Sequence, residues 1–297
     1  MEYNMEKKGF ITAEYVNTAI VDRKKDVHKG DCGKVLVIAG SKGMAGAAVI
    51  CGRAAYRAGA GLVRVSIEEE LYPIIQTALP EATCVGRALT EMDLSGYDAI
   101  AIGPGLGNGA ANVKLVVSVL NDYDKTVVLD ADGLNALAEA GLVSSLKTVP
   151  ANAIITPHIG EAKRLIPKAR VEREWPEDSL SEPGRMKITE MLLEETGAIV
   201  VLKGAGTIVA CTREGSHVNT TGNPGMATGG SGDSLTGIIA ALAGQGRSAF
   251  DAAKSGVYIH GLAGDMAADK IGEHGMTAMD IAEMTALAIK EIRRQKE

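Results

Sequence analysis

Short apolar runs that end in glycine or a polar residue recur along this chain, and helical patterns fill the gaps between them. Val35-Leu-Val-Ile-Ala39 ends in Gly40-Ser41, and 62–67 is a second run. Ala99-Ile-Ala-Ile102 runs into Gly103-Pro-Gly-Leu-Gly107, and Thr126-Val-Val-Leu129 into Asp130-Ala-Asp-Gly-Leu-Asn135. Ala153-Ile-Ile155 runs into Thr156-Pro-His-Ile-Gly-Glu161, and Ile199-Val-Val-Leu202 into Lys203-Gly-Ala-Gly-Thr207. Residues 208–210 read as the hairpin partner of that last run. Helical patterns cover 45–58, 112–120, 134–140, 184–196, 235–243, 252–268 and 278–294. Apolar strands alternating with helices require a mostly parallel sheet covered on both faces, an α/β architecture. Ligands of such sheets sit beyond the carboxyl ends of the strands. The loops GS, GPGLG, DADG, TPHIGE and KGAGT therefore share one rim.

The 297 residues fit one large α/β domain or two small ones. No fixed repeat and no linker between two cores is visible. Residues 1–27 read as an N-terminal helix and arm laid on a main domain of 28–297. The Pro-rich stretch 167–183, with the lone Trp175, is a surface excursion or a flap; composition leaves both readings open. The net charge of -6 argues against a general nucleic-acid or membrane-surface binder. No apolar run approaches a membrane span, and the charged N-terminus lacks the core of a signal peptide. Cys32, Cys51, Cys84 and Cys211 form no CxxC pair, which suits reduced thiols in the cytoplasm.

The richest local signal is Asn223-Pro-Gly-Met-Ala-Thr-Gly-Gly-Ser-Gly-Asp233, followed by a small-residue apolar helix. Glycines allow backbone N–H groups to approach a ligand, and a helix starting near Asp233 aims its unpaired donors and positive dipole end at the same place. That is an anion hole, most naturally for phosphate, with N–H groups at Gly230, Ser231 and Gly232. Asp233 then stands where a base deprotonates an attacking hydroxyl. Helix capping alone explains Asp233, but neither the glycines before it nor Gly237 after it. The P-loop, GxGxxG, protein-kinase and GxSxG patterns are all absent, and scattered histidines disfavour a His/Cys metal site. What remains is phosphoryl transfer with Mg²⁺ held mainly through phosphates and water.

Gly229-Gly-Ser-Gly-Asp233 resembles the GxGD signature of ribokinase-like small-molecule kinases, and His158-Ile-Gly-Glu161 their NxxE element with His for Asn. More narrowly, His28-Lys-Gly30, Ile38-Ala-Gly-Ser41, Met44-Ala-Gly-Ala-Ala48, Gly59-Ala-Gly-Leu-Val63, the GPGLG and LDADGLN segments, Thr156-Pro-His158, KGAGT and the 223–233 stretch occur in one order. This set is similar to the ADP-dependent NAD(P)HX dehydratases, over roughly residues 28 to 290. The resemblance implies a ribokinase-like three-layer αβα sandwich. It implies repair of hydrated NADH or NADPH: a nucleotide phosphorylates the ring hydroxyl, and phosphate is then eliminated. It implies Asp233 as base, and Ala47, Gly105, Gly107 and His158, with Asp233, as contacts to the hydrate. It implies Lys203, Gly204, Ala205, Gly206, Thr207 and Gly232 as contacts to ADP (or ATP), and Glu161 as an organiser of Mg²⁺ through water.

The chain departs from the family at Ile159, where TPHPGE has proline; this should alter loop stiffness more than chemistry. The stretch before residue 28 is too short for the epimerase domain fused to many relatives, so an epimerase is expected on another chain. Ala-rich helices suit a homo-oligomer, a tetramer. Two other functions stay open: a kinase for a thiazole or pyrimidine vitamin precursor, and a non-enzymatic nucleotide sensor. Asp130 and Asp132 either shape a turn or line the site. His260 reads as a core residue.

Overall fold

The structure is a computed structural model that describes residues 8–87, 93–149 and 152–294. Ten strands form one sheet: β1 (Lys8–Phe10), β2 (Lys34–Ile38), β3 (Leu62–Ser66), β4 (Thr83–Val85), β5 (Ala99–Ile102), β6 (Thr126–Leu129), β7 (Asn152–Ile155), β8 (Ile199–Leu202), β9 (Ile208–Cys211) and β10 (Gly215–Val218). Their order is β1-β10-β9-β8-β7-β6-β5-β2-β3-β4. All pairings are parallel except those of β9, which runs antiparallel to β8 and β10. The hairpin read at 208–210 is thus present.

Side chains alternate across the central strands, as the pleat dictates. Val35 and Val37 of β2 enter one core with Val63, Val65, Ala99 and Ala101. Leu36 and Ile38 enter the other with Ile100, Ile102, Val127 and Leu129. The first core is closed by α1 (Ala13–Ala19), α2 (Ala45–Arg57), α3 (Tyr72–Ala78), α9 (Ser231–Gly244), α10 (Ala249–Ile271) and α11 (Ala278–Arg294). The second is closed by α4 (Ala110–Asp122), α5 (Asp132–Glu139), α6 (Ile159–Leu165) and α8 (Glu182–Thr196). This is a three-layer αβα sandwich.

The Pro-rich excursion contains a helix, α7 (Lys168–Glu174), and docks on α8. Arg170 ties it down through Glu194 and Glu195 of α8, and pairs with Glu174 of its own helix. Lys163 sits 5.7 Å from the centre of the Trp175 ring. Pro183 falls in the first turn of α8, where a proline costs no hydrogen bond.

The strand order reverses between β5 and β2, and the loops after them meet there. Gly40 N donates to Pro104 O at 2.8 Å, and Gly103 N to Ile38 O at 3.1 Å. A crevice outside the carboxyl ends of two such strands is where ligands of open α/β sheets bind. The N-terminus of α2 opens onto it, and α9 packs along α2.

Candidate active site

The glycine loop turns into α9 at Ser231, four residues before the helical pattern begins and two before Asp233. Gly230 is the N-cap, with φ +89°, a left-handed conformation that L side chains seldom adopt. Asp233 therefore lies inside the first turn and makes no capping bond. Its carboxylate accepts no hydrogen bond from another described residue. Burial first, then the neighbouring Asp130 and Asp132, push its pKa up from 3.8 to about 7, against the pull of Lys203. A carboxylate poised near neutrality and left without donors is a proton acceptor in waiting.

One expected donor is partly spent: Ser231 N already donates to Thr228 O at 3.3 Å. Gly230 and Gly232 flank it at the helix start. His260, from α10, braces this turn. Its Nε2 lies 2.9 Å from Ser231 O and 3.0 Å from Ser234 Oγ. Burial lowers its pKa to about 4, so the ring is neutral at pH 7. It is a core residue, as read, that also reaches the site.

Beneath the turn lies an ion pair. Lys203, at the end of β8, places Nζ 2.6 Å from Asp130 Oδ1 and 3.6 Å from Glu161 Oε2. Asp130, at the end of β6, also accepts from Thr236 Oγ1 of α9 at 2.9 Å. Burial alone would raise the Asp130 pKa, but Lys203 and the hydroxyls of Thr156 and Thr236 hold it below the ordinary value. Burial likewise opposes the charge on Lys203, and Asp130 and Glu161 outweigh it. Both groups are charged. A Cβ on Gly232 would stand 3.2 Å from Lys203 Nζ, so the anion hole and the lysine are neighbours. Asp130 belongs to the site. Ala131, with φ +47°, is the one non-glycine residue of positive φ among those described. That strained turn sends Asp130 inward and lets Asp132 Oδ2 accept from Gly107 N at 2.8 Å.

His158 and Glu161 form a reciprocal cap on α6. His158 Nδ1 accepts from Gly160 N at 2.9 Å, and Glu161 Oε2 accepts from His158 N at 2.8 Å. Nδ1 as acceptor leaves the proton on Nε2. Ile159 takes the first helical position, where a family proline would also fit, so the exchange leaves the loop's course intact.

A cleft of about 650 Å³ opens beside these groups. Lys203, Gly204, Ala205, Gly206, Thr207 and Gly232 all line it, together with His158 and Ser231. Its other wall is Asn219, Thr221 and Asn223, with Met226, Leu235 and Val257 as apolar surface. Ala47, Gly105 and Gly107 are grouped elsewhere, at the switch-point crevice. A Cβ on Gly105 would lie 2.8 Å from Ala47 Cβ. His158 lines the cleft of the lysine loop. Asp233 stands between: Gly232 lines the cleft, while a Cβ on Gly230 would touch Ile50 of α2 at 2.7 Å and Asp233 Oδ2 at 3.6 Å.

Sequence reasoning missed Arg185. This buried arginine of α8 donates to Ala205 O and, at 3.0 Å, to Leu202 O, so it props up the lysine loop. Nothing in its surroundings in the chain marks it. Asn219 and Thr221 were also missed; they follow β10, a strand without an apolar run.

Among the described residues no group of three or more His, Cys, Asp or Glu side chains is arranged to hold a metal ion. The carboxylates of Asp130, Asp132 and Glu161 are engaged with protein donors. A Mg²⁺ here fits only as an ion carried chiefly by phosphate oxygens and water.

Comparison with known proteins identifies the family and the fold. Residues 35–286 match a family model described as NAD(P)H-hydrate dehydratase. A bifunctional NAD(P)H-hydrate repair enzyme of Thermofilum pendens is 36% identical over 292 residues, covering 93% of this chain and 53% of the relative. The chain spans about half the length of the curated relatives it matches. A ribokinase-like superfamily protein of Enterococcus faecalis superposes with a TM-score of 0.81 at 27% identity, over 96% of each chain. An ADP/ATP-dependent NAD(P)H-hydrate dehydratase of Bacillus subtilis, co-crystallised with ATP and Mg²⁺, superposes with a TM-score of 0.80 at 30% identity, over 96% of this chain and 98% of that one.

Proposed function

This chain belongs to the NAD(P)H-hydrate dehydratase family, and we propose that it repairs hydrated NADH and NADPH by nucleotide-driven dehydration, with ADP as phosphoryl donor. The observation that carries the reading is the half-buried, donor-free Asp233 at the start of α9, between a nucleotide-sized cleft and the switch-point crevice.

The adenine nucleotide occupies the cleft, its base against Leu235 and Val257 and its phosphates toward Lys203, the KGAGT loop and Gly232. The hydrated nicotinamide ring lies at Ala47, Gly105 and Gly107. Asp233 takes the proton of the ring hydroxyl. The hydroxyl oxygen attacks the terminal phosphorus, and the bond to the bridging oxygen of the nucleotide breaks, so that ADP leaves as AMP. N–H groups at Gly230 and Gly232 and the start of α9 stabilise the transferring phosphoryl group. The phosphorylated hydroxyl is now a good leaving group. The lone pair of the ring nitrogen expels phosphate, the neighbouring carbon loses a proton, and the nicotinamide double bond returns. Glu161 would hold a Mg²⁺ through water, and such an ion would supply positive charge to offset that of the phosphates. Lys203, fixed between Asp130 and Glu161, positions the phosphates.

His158, reaching into the nucleotide cleft, touches the hydrate only where the two ligands meet, so its first partner is the phosphate chain. A homotetramer in the cytoplasm completes the proposal. Among the described residues no helix is long and apolar enough to cross a membrane.

The test is purified protein with NADHX, Mg²⁺ and ADP or ATP, followed by the absorbance of returning NADH. Recovery with ADP is expected. No recovery with either nucleotide overturns the reading.

A further inference from the structure

A second recess lies at the opposite ends of the two helices that build the active site. The N-terminus of α9 carries Gly232 and Asp233, and that of α2 carries Ala47. Their C-terminal ends, about 20 Å away at 1.5 Å per residue, border a cavity of about 410 Å³. That volume lies in the range of small-molecule sites. Its floor is apolar, with Ile20, Leu242 and Ile289. Four guanidinium groups stand around it, Arg23, Arg57, Arg247 and Arg293, against one lining carboxylate, Asp22.

Two of the four are committed. Arg57 Nη2 pairs with Glu283 at 2.5 Å, and Arg293 pairs with Asp22. The other two are not. Among the described residues Arg23 donates only to the carbonyl of Gly59, at 2.6 Å. Arg247 has a buried Nε with no acceptor among the described residues, although Asp251 lies near enough to interact with it electrostatically. Arginines near helix C-termini compensate the negative dipole ends, which accounts for Arg23 at Gly59. It does not account for Arg247, which lines the recess yet makes no side-chain hydrogen bond or ion pair with any described residue, a costly state for a guanidinium that water or a ligand must relieve. A planar guanidinium is also the group best matched to phosphate oxygens.

We propose that this recess is a second ligand site, taking a small organic phosphate monoester whose phosphate sits on Arg23 and Arg247 and whose apolar body rests on Ile20, Leu242 and Ile289. It is independent of the ligands of the active site.

The test titrates 1-naphthyl phosphate into the full chain by calorimetry with the nucleotide cleft saturated by ADP. One molecule should bind per chain. The double substitution R23Q/R247Q should weaken it on the order of 10- to 100-fold, as the loss of charge-assisted hydrogen bonds does. Turnover should be unchanged, which shows that the variant is folded. If it does not fold, R247K serves instead, with weaker binding again expected. Binding that is absent from the wild type, or equally tight in the substituted chain, overturns the proposal. So does a change of oligomeric state in R23Q/R247Q with no naphthyl phosphate bound by the wild type, which would assign the recess to contact between copies of the chain.

Discussion

Replacing Asp233 with Asn should make the protein more stable and inactive at once. The carboxylate is held in the folded state with a pKa of about 7 against an ordinary 3.8. It therefore binds its proton more tightly folded than unfolded. The stability this contributes is fully present below about pH 4 and is lost as the pH rises through about 7. At pH 8 the folded chain carries a partly desolvated charge, close to Asp130, that the unfolded chain exposes fully to water, at a cost of roughly 4 kcal/mol. At pH 5 the site is still mostly protonated, and the cost is roughly 2 kcal/mol. Asparagine imitates the protonated acid and escapes both. The advantage of Asp233→Asn over the wild type, from urea unfolding, should thus grow by roughly 2 to 3 kcal/mol between pH 5 and pH 8. Turnover should fall by about 10²- to 10⁴-fold, the usual worth of a general base, with nucleotide affinity little changed. A stability difference that is flat with pH, or near-normal turnover, refutes the assignment.

Three further outcomes follow from the same network. Asp130→Asn removes a charge that raises the Asp233 pKa, so the acid limb of kcat/KM should move to lower pH; a limb that stays in place contradicts the coupling. Lys203→Met leaves Asp130 buried without a countercharge, and chemical denaturation should show a loss of about 3 to 5 kcal/mol, partly recovered in the Asp130→Asn/Lys203→Met pair. Gly237→Ala would set a Cβ 2.0 Å from the backbone oxygen of Cys51, so α2 and α9 must separate. A loss of about 1 to 3 kcal/mol or more is expected in thermal unfolding, and an unchanged Tm would contradict that packing.

The strands legible in the sequence are those buried on both faces. β2, β3, β5, β6, β7 and β8 are mostly apolar, with Lys34, Arg64 and Asn152 as exposed exceptions, and each then stops at a loop. β1, β4 and β10 were not legible. They are three or four residues long, two of them edge the sheet, and β10 reads Gly-Ser-His-Val. The same contrast governs the site. GGSGD and KGAGT betray themselves because their backbone geometry demands particular residues in a row. Asp130 and Arg185 act across 73 and 17 or 20 positions of chain, through Lys203 and the carbonyls of Leu202 and Ala205. Their meaning exists only once β6, β8 and α8 are packed. Stretch 167–183 was ambiguous for a related reason. Its polar sequence is held by Arg170 on glutamates of α8, a contact that no local pattern encodes.

The central claim is that phosphate is attached in order to leave with the hydroxyl oxygen. It is tested most directly with NADHX carrying ¹⁸O in the ring hydroxyl, turned over with ADP and Mg²⁺, with the products resolved by mass spectrometry. Attack by the hydroxyl on phosphorus predicts the label in inorganic phosphate, one labelled phosphate for each NADH formed and each ADP consumed. Label released as water would contradict it, because the hydroxyl would then have departed without ever having been phosphorylated.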